Sequence, residues 1–169
     1  MNRRHFLALQ AAAMAGSAFA DTPKVQSLDD VLRWLDRLDQ ASRVASSSTW
    51  AMPAVFAHLS QSIEMSMDGY PQQSSPLFQS TVGSAAFAWF KFRGRMSHDL
   101  VEPIPGAPAL MQSGEWTPHA TRLRQAVIRF QAHTGPLQPH FAYGALDYTQ
   151  YTAAHVMHIA NHQDAIEVG

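Results

Sequence analysis

Apolar residues recur along most of this chain at the spacing of a helix rather than that of a strand. The first such segment begins near Ser27, which can cap a helix, and Asp30 stands three residues later, where a capping box places its acidic member. The apolar positions of this segment are three or four residues apart, which places them on one helix face: Leu28, Val31, Leu32, Leu35 and Leu38. An amphipathic first helix is therefore predicted.

Four further helices are predicted from the same periodicity, and proline and glycine mark most of their ends. Their expected ranges are residues 53–68, 75–93, 117–133 and 147–166. Pro53 stands in the first turn of its helix, where a missing N–H costs little, and Asp147 is the expected cap of the last helix. Gly94 is the expected stop of the third helix, whose aromatic residues are expected in the core: Phe87, Trp89, Phe90 and Phe92.

No strand is predicted, because period-two alternation nowhere holds over five residues. Residues 94–116 form a long loop that contains three prolines. A connection of this length inside a compact domain is usually a functional lid or a wrapped segment. The predicted fold class is therefore all-α, a helical bundle with one long, proline-rich crossover loop.

The first twenty residues form a pattern of a different kind. Arg3 and Arg4 precede a moderately apolar run over residues 6–19, which ends at the small residues of Ala18-Phe19-Ala20. The run is shorter than the roughly 20 residues that span a bilayer, and the whole segment resembles a twin-arginine signal peptide. We therefore expect residues 1–20 to be a signal peptide read by the twin-arginine translocase, either cleaved or kept as an anchor. Residues 21–169 are then one periplasmic or secreted domain.

Charge and cysteine content exclude several classes of function. The formal net charge is -1, and the densest basic segment is only Lys91, Arg93 and Arg95, so a nucleic-acid partner is not expected. The chain has no cysteine, which excludes disulfides and thiolate metal sites. It does have nine histidines, and their positions carry the remaining chemistry.

Three histidines follow two tyrosines on one face of the predicted last helix. The spacing along this face is three, four, three and four: Tyr148, Tyr151, His155, His158 and His162. Burying such side chains without partners costs about 1–3 kcal/mol each, so a partner is required. His158 and His162 are four residues apart and can reach one ion at the usual zinc–nitrogen distance of about 2.0–2.1 Å. A pair with this spacing is also common as ordinary core histidines.

A third ligand has to come from another helix, and His58 in the predicted second helix is the best candidate. It lies on a flank of small residues that leaves room for a site between helices. His155 is an alternative third ligand on the last helix itself. The spacing alone leaves both sets open.

Several segments together resemble the DUF1569 family, which is similar to the DinB-like metal-binding bundles. They are residues 58–64 (HLSQSIE), 68–71 (DGYP), 103–108 (PIPGAP) and 139–144 (PHFAYG), with His155, His158 and His162. The resemblance implies a four-helix bundle whose metal is bound by His58, His158 and His162. His155 is additional to that pattern.

Three neutral histidines would leave open positions on a divalent ion such as Zn, Ni or Fe, which can then hold water or substrate. The first hypothesis is a metal-dependent hydrolase or a thiol-dependent transferase acting on a small molecule, with His140 or Tyr148 moving protons. The second is a non-catalytic envelope protein that binds a metal or small ligand, and the third is a structural bundle without metal. The oligomeric state stays open, with a homodimer as one alternative.

Overall fold

The computed structural model describes residues 24–169, so the expected signal peptide lies outside the described residues. The first helix, α1 (Leu28–Gln40), begins as the sequence predicts. The Ser27 hydroxyl accepts a hydrogen bond from the Asp30 amide at 3.1 Å, and the Asp30 carboxylate accepts one from the Gln26 amide at 3.1 Å. These bonds satisfy N–H groups that have no partner inside the helix.

The remaining helices agree closely with the predicted ranges. They are α2 (Met52–Asp68), α3 (Pro76–Phe78), α4 (Ser84–Arg93), α5 (Thr117–Gln131) and α6 (Tyr148–Gln163), with a π-helical segment Gln79–Gly83 between α3 and α4. Gly94 ends α4 in the left-handed conformation, and Asp147 and Gln150 form a capping box at α6. Within residues 24–169, the protein is thus mostly helical, with five helices of ten residues or more. None of these described helices is both long and apolar enough to cross a membrane.

The core lies between α1, α2, α5 and α6, and α2 is its central element. α2 packs closely against α5 and also contacts α6, while α1 contacts both α5 and α6. Fourteen of the seventeen residues of α2 are buried, including five polar ones. Ser60 and Ser66 donate their hydroxyl protons to carbonyls of α2 itself, at Phe56 and Ile63. Small, self-satisfied serines therefore let the neighbouring helices approach α2 closely.

Residues 94–116 contain neither helix nor strand and wrap over the helices, as one of the two interpretations of this loop predicted. Ile104 is buried in the main core, and the Pro108 carbonyl accepts a hydrogen bond from the Gln61 side chain of α2 at 3.0 Å. Met96 is buried in a second, smaller cluster with Phe87 and Met157. The loop is thus fixed to α2, α4 and α6 at separate points.

The expectation that the chain has no strands is wrong. β1 (Val44–Ser46) and β2 (Ile166–Val168) pair antiparallel, with Val44 opposite Val168 and Ser46 opposite Ile166. Each strand has only three residues, which is too short for the alternation that a sequence pattern can reveal. The last helix consequently ends at Gln163 and not at Ile166.

The expectation that all four aromatic residues of α4 lie in the core is also wrong. Only Phe87 is buried, while Trp89 is 54% and Phe92 83% exposed. Residues two and five positions after Phe87 point away from it on a helix, because neighbours on one face are three or four apart. A run of aromatic residues this dense cannot occupy a single face.

Gly83 in the π-helical segment is required by a close backbone approach. Its φ of −63° suits any residue, but a Cβ here would lie 1.9 Å from the Ala142 carbonyl oxygen. The backbone of Ala142 therefore packs directly on this glycine.

We expect Gly83→Ala to lower the free energy of unfolding by about 1–3 kcal/mol, the usual cost of overpacking. Helix propensity alone would favour alanine by about 1 kcal/mol. A lower free energy of unfolding in Gly83→Ala would therefore be caused by the steric clash. Urea denaturation followed by circular dichroism measures it, with Ser84→Ala at the next, exposed position as the control. An unchanged or higher stability in Gly83→Ala would contradict this packing.

Candidate metal centre

Three histidines from two helices converge between α2 and α6. His58 comes from the middle of α2, and His158 and His162 come from successive turns of α6. One nitrogen from each ring lies within 4.8 Å of the other two, and the Nε2 atoms of His58 and His158 are 3.1 Å apart. The structure thus brings together the three side chains that the family resemblance implied. We call these three residues the histidine triad.

Two of the buried ring nitrogens of the triad have no hydrogen-bond partner among the described residues. His58 is 3% and His162 1% exposed. Among the described residues, neither His58 Nδ1 nor His162 Nε2 has a hydrogen-bond partner. Buried polar atoms are nearly always paired, and an exception calls for an explanation such as an ion.

The buried environment keeps the triad neutral. The pKa of His58 is lowered to about 4 and that of His162 to about 3, mainly by burial and to a smaller extent by neighbouring histidines. The pKa of His158 is also well below its ordinary value, mainly because of burial. Neutral imidazole is the form that binds a metal, so the site is in its ligand form at neutral pH.

Ser62 orients one ring of the triad. It lies one turn after His58 on α2, and its hydroxyl is 3.2 Å from His158 Nδ1. A histidine that binds metal through one nitrogen usually donates the other N–H to an oxygen, which fixes the ring and its tautomer. The pairing of His158 with Ser62 has this form.

His155, the alternative ligand, lies outside the triad and has its own partner. Its Nε2 is 3.1 Å from the Ser66 hydroxyl, which already donates its proton to the Ile63 carbonyl at 2.6 Å. Ser66 must therefore accept, and His155 Nε2 carries a proton. The ring is 2% exposed and packs between Phe130 and Tyr151, so it fills the core as a satisfied polar group.

A cavity of about 320 Å³ opens beside the triad. Two members of the triad, His58 and His158, line it together with the loop segment Glu102–Pro105 and the turn around His140. Volumes from about 300 Å³ are typical of small-molecule sites. His58 and His158 therefore border a space that is large enough for a small ligand.

His140 lines this cavity as a fixed hydrogen-bond donor. Its Nδ1 accepts hydrogen bonds from the backbone amides of Ala142 and Tyr143 at 3.1 and 3.2 Å. Nδ1 is therefore unprotonated, and the neutral ring carries its proton on Nε2. Burial lowers the pKa of His140 to about 3, so the ring stays neutral at physiological pH.

The structure does not bring Tyr148 to the cavity. Tyr148 is 42% exposed and stacks on Phe130 at 4.9 Å. It begins α6, ten residues before His158, which corresponds to about 15 Å along the helix axis. Glu64 of α2 is also directed elsewhere and binds Arg122 of α5.

A fourth histidine, His98, lies against the triad and was missed by the sequence interpretation. Its ring centroid is 4.9 Å from that of His158 and 5.5 Å from that of His162. Helical periodicity gave no signal for it, because it belongs to the loop between α4 and α5. Only the high histidine content of the chain pointed to further members.

Fold and site together define a mostly helical protein with a buried histidine cluster suited to a divalent cation. The family model for DUF1569, a protein family of unknown function, matches residues 21–168. The chain therefore belongs to the DUF1569 family. Comparison with curated proteins and with solved structures gave no match.

The buried neutral histidines predict acid sensitivity of the metal-free protein. His155 has a pKa of about 3 in the folded state, because burial disfavours its charge, against about 6.5 in an unfolded chain. Between these values the unfolded state binds more protons, so stability rises with pH and is lost as the pH falls below about 6.5. We expect His155→Gln to reduce this slope by up to about 1.4 kcal/mol per pH unit.

Urea unfolding of the chelator-treated protein between pH 4 and 7 measures the slope. Ser66→Ala is the matched control, because it removes the partner of His155 and keeps the titrating ring. It should lower stability at every pH and leave the slope unchanged. Parallel pH profiles for wild type and His155→Gln would contradict the assignment.

Proposed function

We propose that this protein is an exported divalent-metal-binding protein in which His58, His158 and His162 hold the ion. The observation that carries the proposal is the convergence of one imidazole nitrogen from each of three rings that burial keeps neutral. Among the described residues, His162 Nε2 has no hydrogen-bond partner, and a cation held between the rings would supply a partner for the converging nitrogens. The four-helix, DinB-like architecture that the family resemblance implies belongs to the same proposal.

The spacing of the nitrogens supports a first-row metal. Two ligands bound at about 2.0–2.1 Å to a tetrahedral ion lie roughly 3.3 Å apart, and the Nε2 atoms of His58 and His158 are 3.1 Å apart. The ligands are all nitrogen, which suits Zn, Ni or Fe. Three protein ligands and an adjoining cavity are typical of a site that exchanges ligands, unlike a closed structural site.

The reaction class that fits this site is hydrolysis of a small molecule or transfer to a thiol. A divalent ion bound here would supply Lewis acidity and lower the pKa of a bound water or thiol. His140 would donate its Nε2–H to an oxygen of a substrate in the cavity, and Ser62 would hold the His158 ring in place. Its low pKa prevents His140 from acting as a proton reservoir at neutral pH, so its role is orientation and hydrogen bonding.

We expect the purified protein to contain about one equivalent of divalent metal and His158→Ala to lose it. The affinity should fall by more than about 100-fold, since even groups behind the ligands are worth 10–100-fold. Elemental analysis measures the metal, and circular dichroism checks that the helices are retained. The matched control is His155→Gln on the same helix.

This control separates the two ligand sets that the sequence left open. If His155→Gln keeps the metal while His158→Ala loses it, the triad is the site. Full metal occupancy in His158→Ala would reject the proposal, and loss of metal in His155→Gln would transfer the site to the His155 set.

Export through the twin-arginine route is the second part of the proposal, and it is supported by the order of sequence features in residues 1–20. Replacing Arg3 and Arg4 by lysine keeps the charge and removes the guanidinium pair that defines the signal. We expect this double variant to stay in the cytoplasmic fraction, while wild type reaches the envelope fraction. Equal export of both proteins would contradict the route.

A further inference from the structure

His98 is held above α6 by contacts on both sides of it. Two residues earlier, Met96 is buried against Phe87 and Met157. The Asn161 side chain donates a hydrogen bond to the His98 carbonyl at 3.4 Å, and Asn161 directly precedes His162. The loop therefore crosses α6 at the level of the triad.

The His98 ring packs against the triad almost as closely as the triad rings pack against one another. Within the triad the ring centroids are 4.9 to 5.1 Å apart. His98 lies 4.9 Å from His158 and 5.5 Å from His162. These four rings form one cluster, in which three come from helices and one comes from a loop.

The tautomer of His98 leaves a lone pair available. Its Nδ1 is 2.7 Å from the Asp99 carbonyl oxygen, which can only accept. Nδ1 therefore carries a proton, and in the neutral tautomer the lone pair lies on Nε2. Metal-binding histidines commonly show this division, with Nδ1–H donated to a backbone carbonyl and Nε2 directed to the ion.

We propose that His98 is a fourth, loop-borne ligand of the metal ion, bound through Nε2. This proposal rests on the proposed function of the triad. Among the described residues, only the triad nitrogens all lie within 4.8 Å of one another, so binding by His98 requires a shift of its side chain and loop toward the ion. His98 itself is half-buried, and its neighbours Ser97 and Asp99 are exposed, which leaves room for such a shift.

A ligand on the loop gives the site a property that the helices cannot provide. The triad is fixed by two packed helices, whereas His98 belongs to a loop and, like His58 and His158, lines the cavity that a small ligand would enter. His98 can therefore close the ion against solvent or release a coordination position to a ligand. Binding of a ligand in the cavity would thus change the number of histidine nitrogens that coordinate the ion, through the position of the loop.

Cobalt(II) is a suitable probe, because its visible absorption bands weaken as its coordination number rises. The chelator-treated, otherwise intact protein is loaded with cobalt(II) as wild type, as His98→Gln and as the control His119→Gln, which changes a histidine outside the cluster. We expect one equivalent in all three. His98→Gln should show altered, stronger bands and lose cobalt to a chelator at least tenfold faster, while His119→Gln should match wild type.

The outcomes separate the two proposals. Identical spectra and release rates for His98→Gln and wild type would overturn the role of His98 and leave the triad site intact. Failure of wild type to bind cobalt would overturn the proposed function and the His98 inference with it. A second measurement needs no variant: ¹⁵N NMR of wild type during zinc titration should show a large shift of His98 Nε2, and an unmoved resonance would overturn the inference.

Discussion

The arrangement of this protein depends on three imidazole rings packed between α2 and α6 with too few hydrogen-bond partners. α2 is buried over most of its length and packs mainly against α5 and α6, so the polar atoms that it carries inward cannot be satisfied by water. Burial also removes the positive charge that would otherwise drive the rings apart. Packing therefore accounts both for the neutral rings and for the buried nitrogens that have no hydrogen-bond partner among the described residues.

His155 and His158 show how similar residues on one helix face come to have different roles. Both lie opposite serines of α2 that are four residues apart, Ser66 and Ser62. Ser66 and His155 form a closed pair, because the hydroxyl proton already goes to a backbone carbonyl and the ring donates. His158 instead uses one nitrogen on Ser62 and directs the other at His58. The difference arises from the α2 sequence and not from the histidine spacing.

Much of the fold could be predicted from the sequence, because capping residues, helix stops and apolar spacing act locally. The spacing on α6 and the small residues beside His58 favoured a histidine site between helices but left His155 open as the third member, and the set of His58, His158 and His162 was what the family resemblance implied. The position of His98 could not be predicted, because it lies in a loop and helical periodicity does not assign loop residues to a site. Tyr148 was a candidate because it lies on the same helix face as the histidines. Its distance from His158 along the helix axis keeps it out of the site. The three-residue strands and the exposed Trp89 depend on tertiary contacts.

Side chains cover some sides of the triad and a cavity adjoins another, which restricts the ligands that can reach it. Trp50 packs edge-on against His58 at 5.2 Å on one side, and His98 covers the side of His158 and His162. The cavity adjoins His58 and His158 but is small, about 320 Å³, which favours a compact ligand. His140, whose Nε2 carries the proton, and Glu102 of the loop are among the residues that line the cavity. A ligand that combines an oxygen acceptor with a donor or metal-binding group would match this lining.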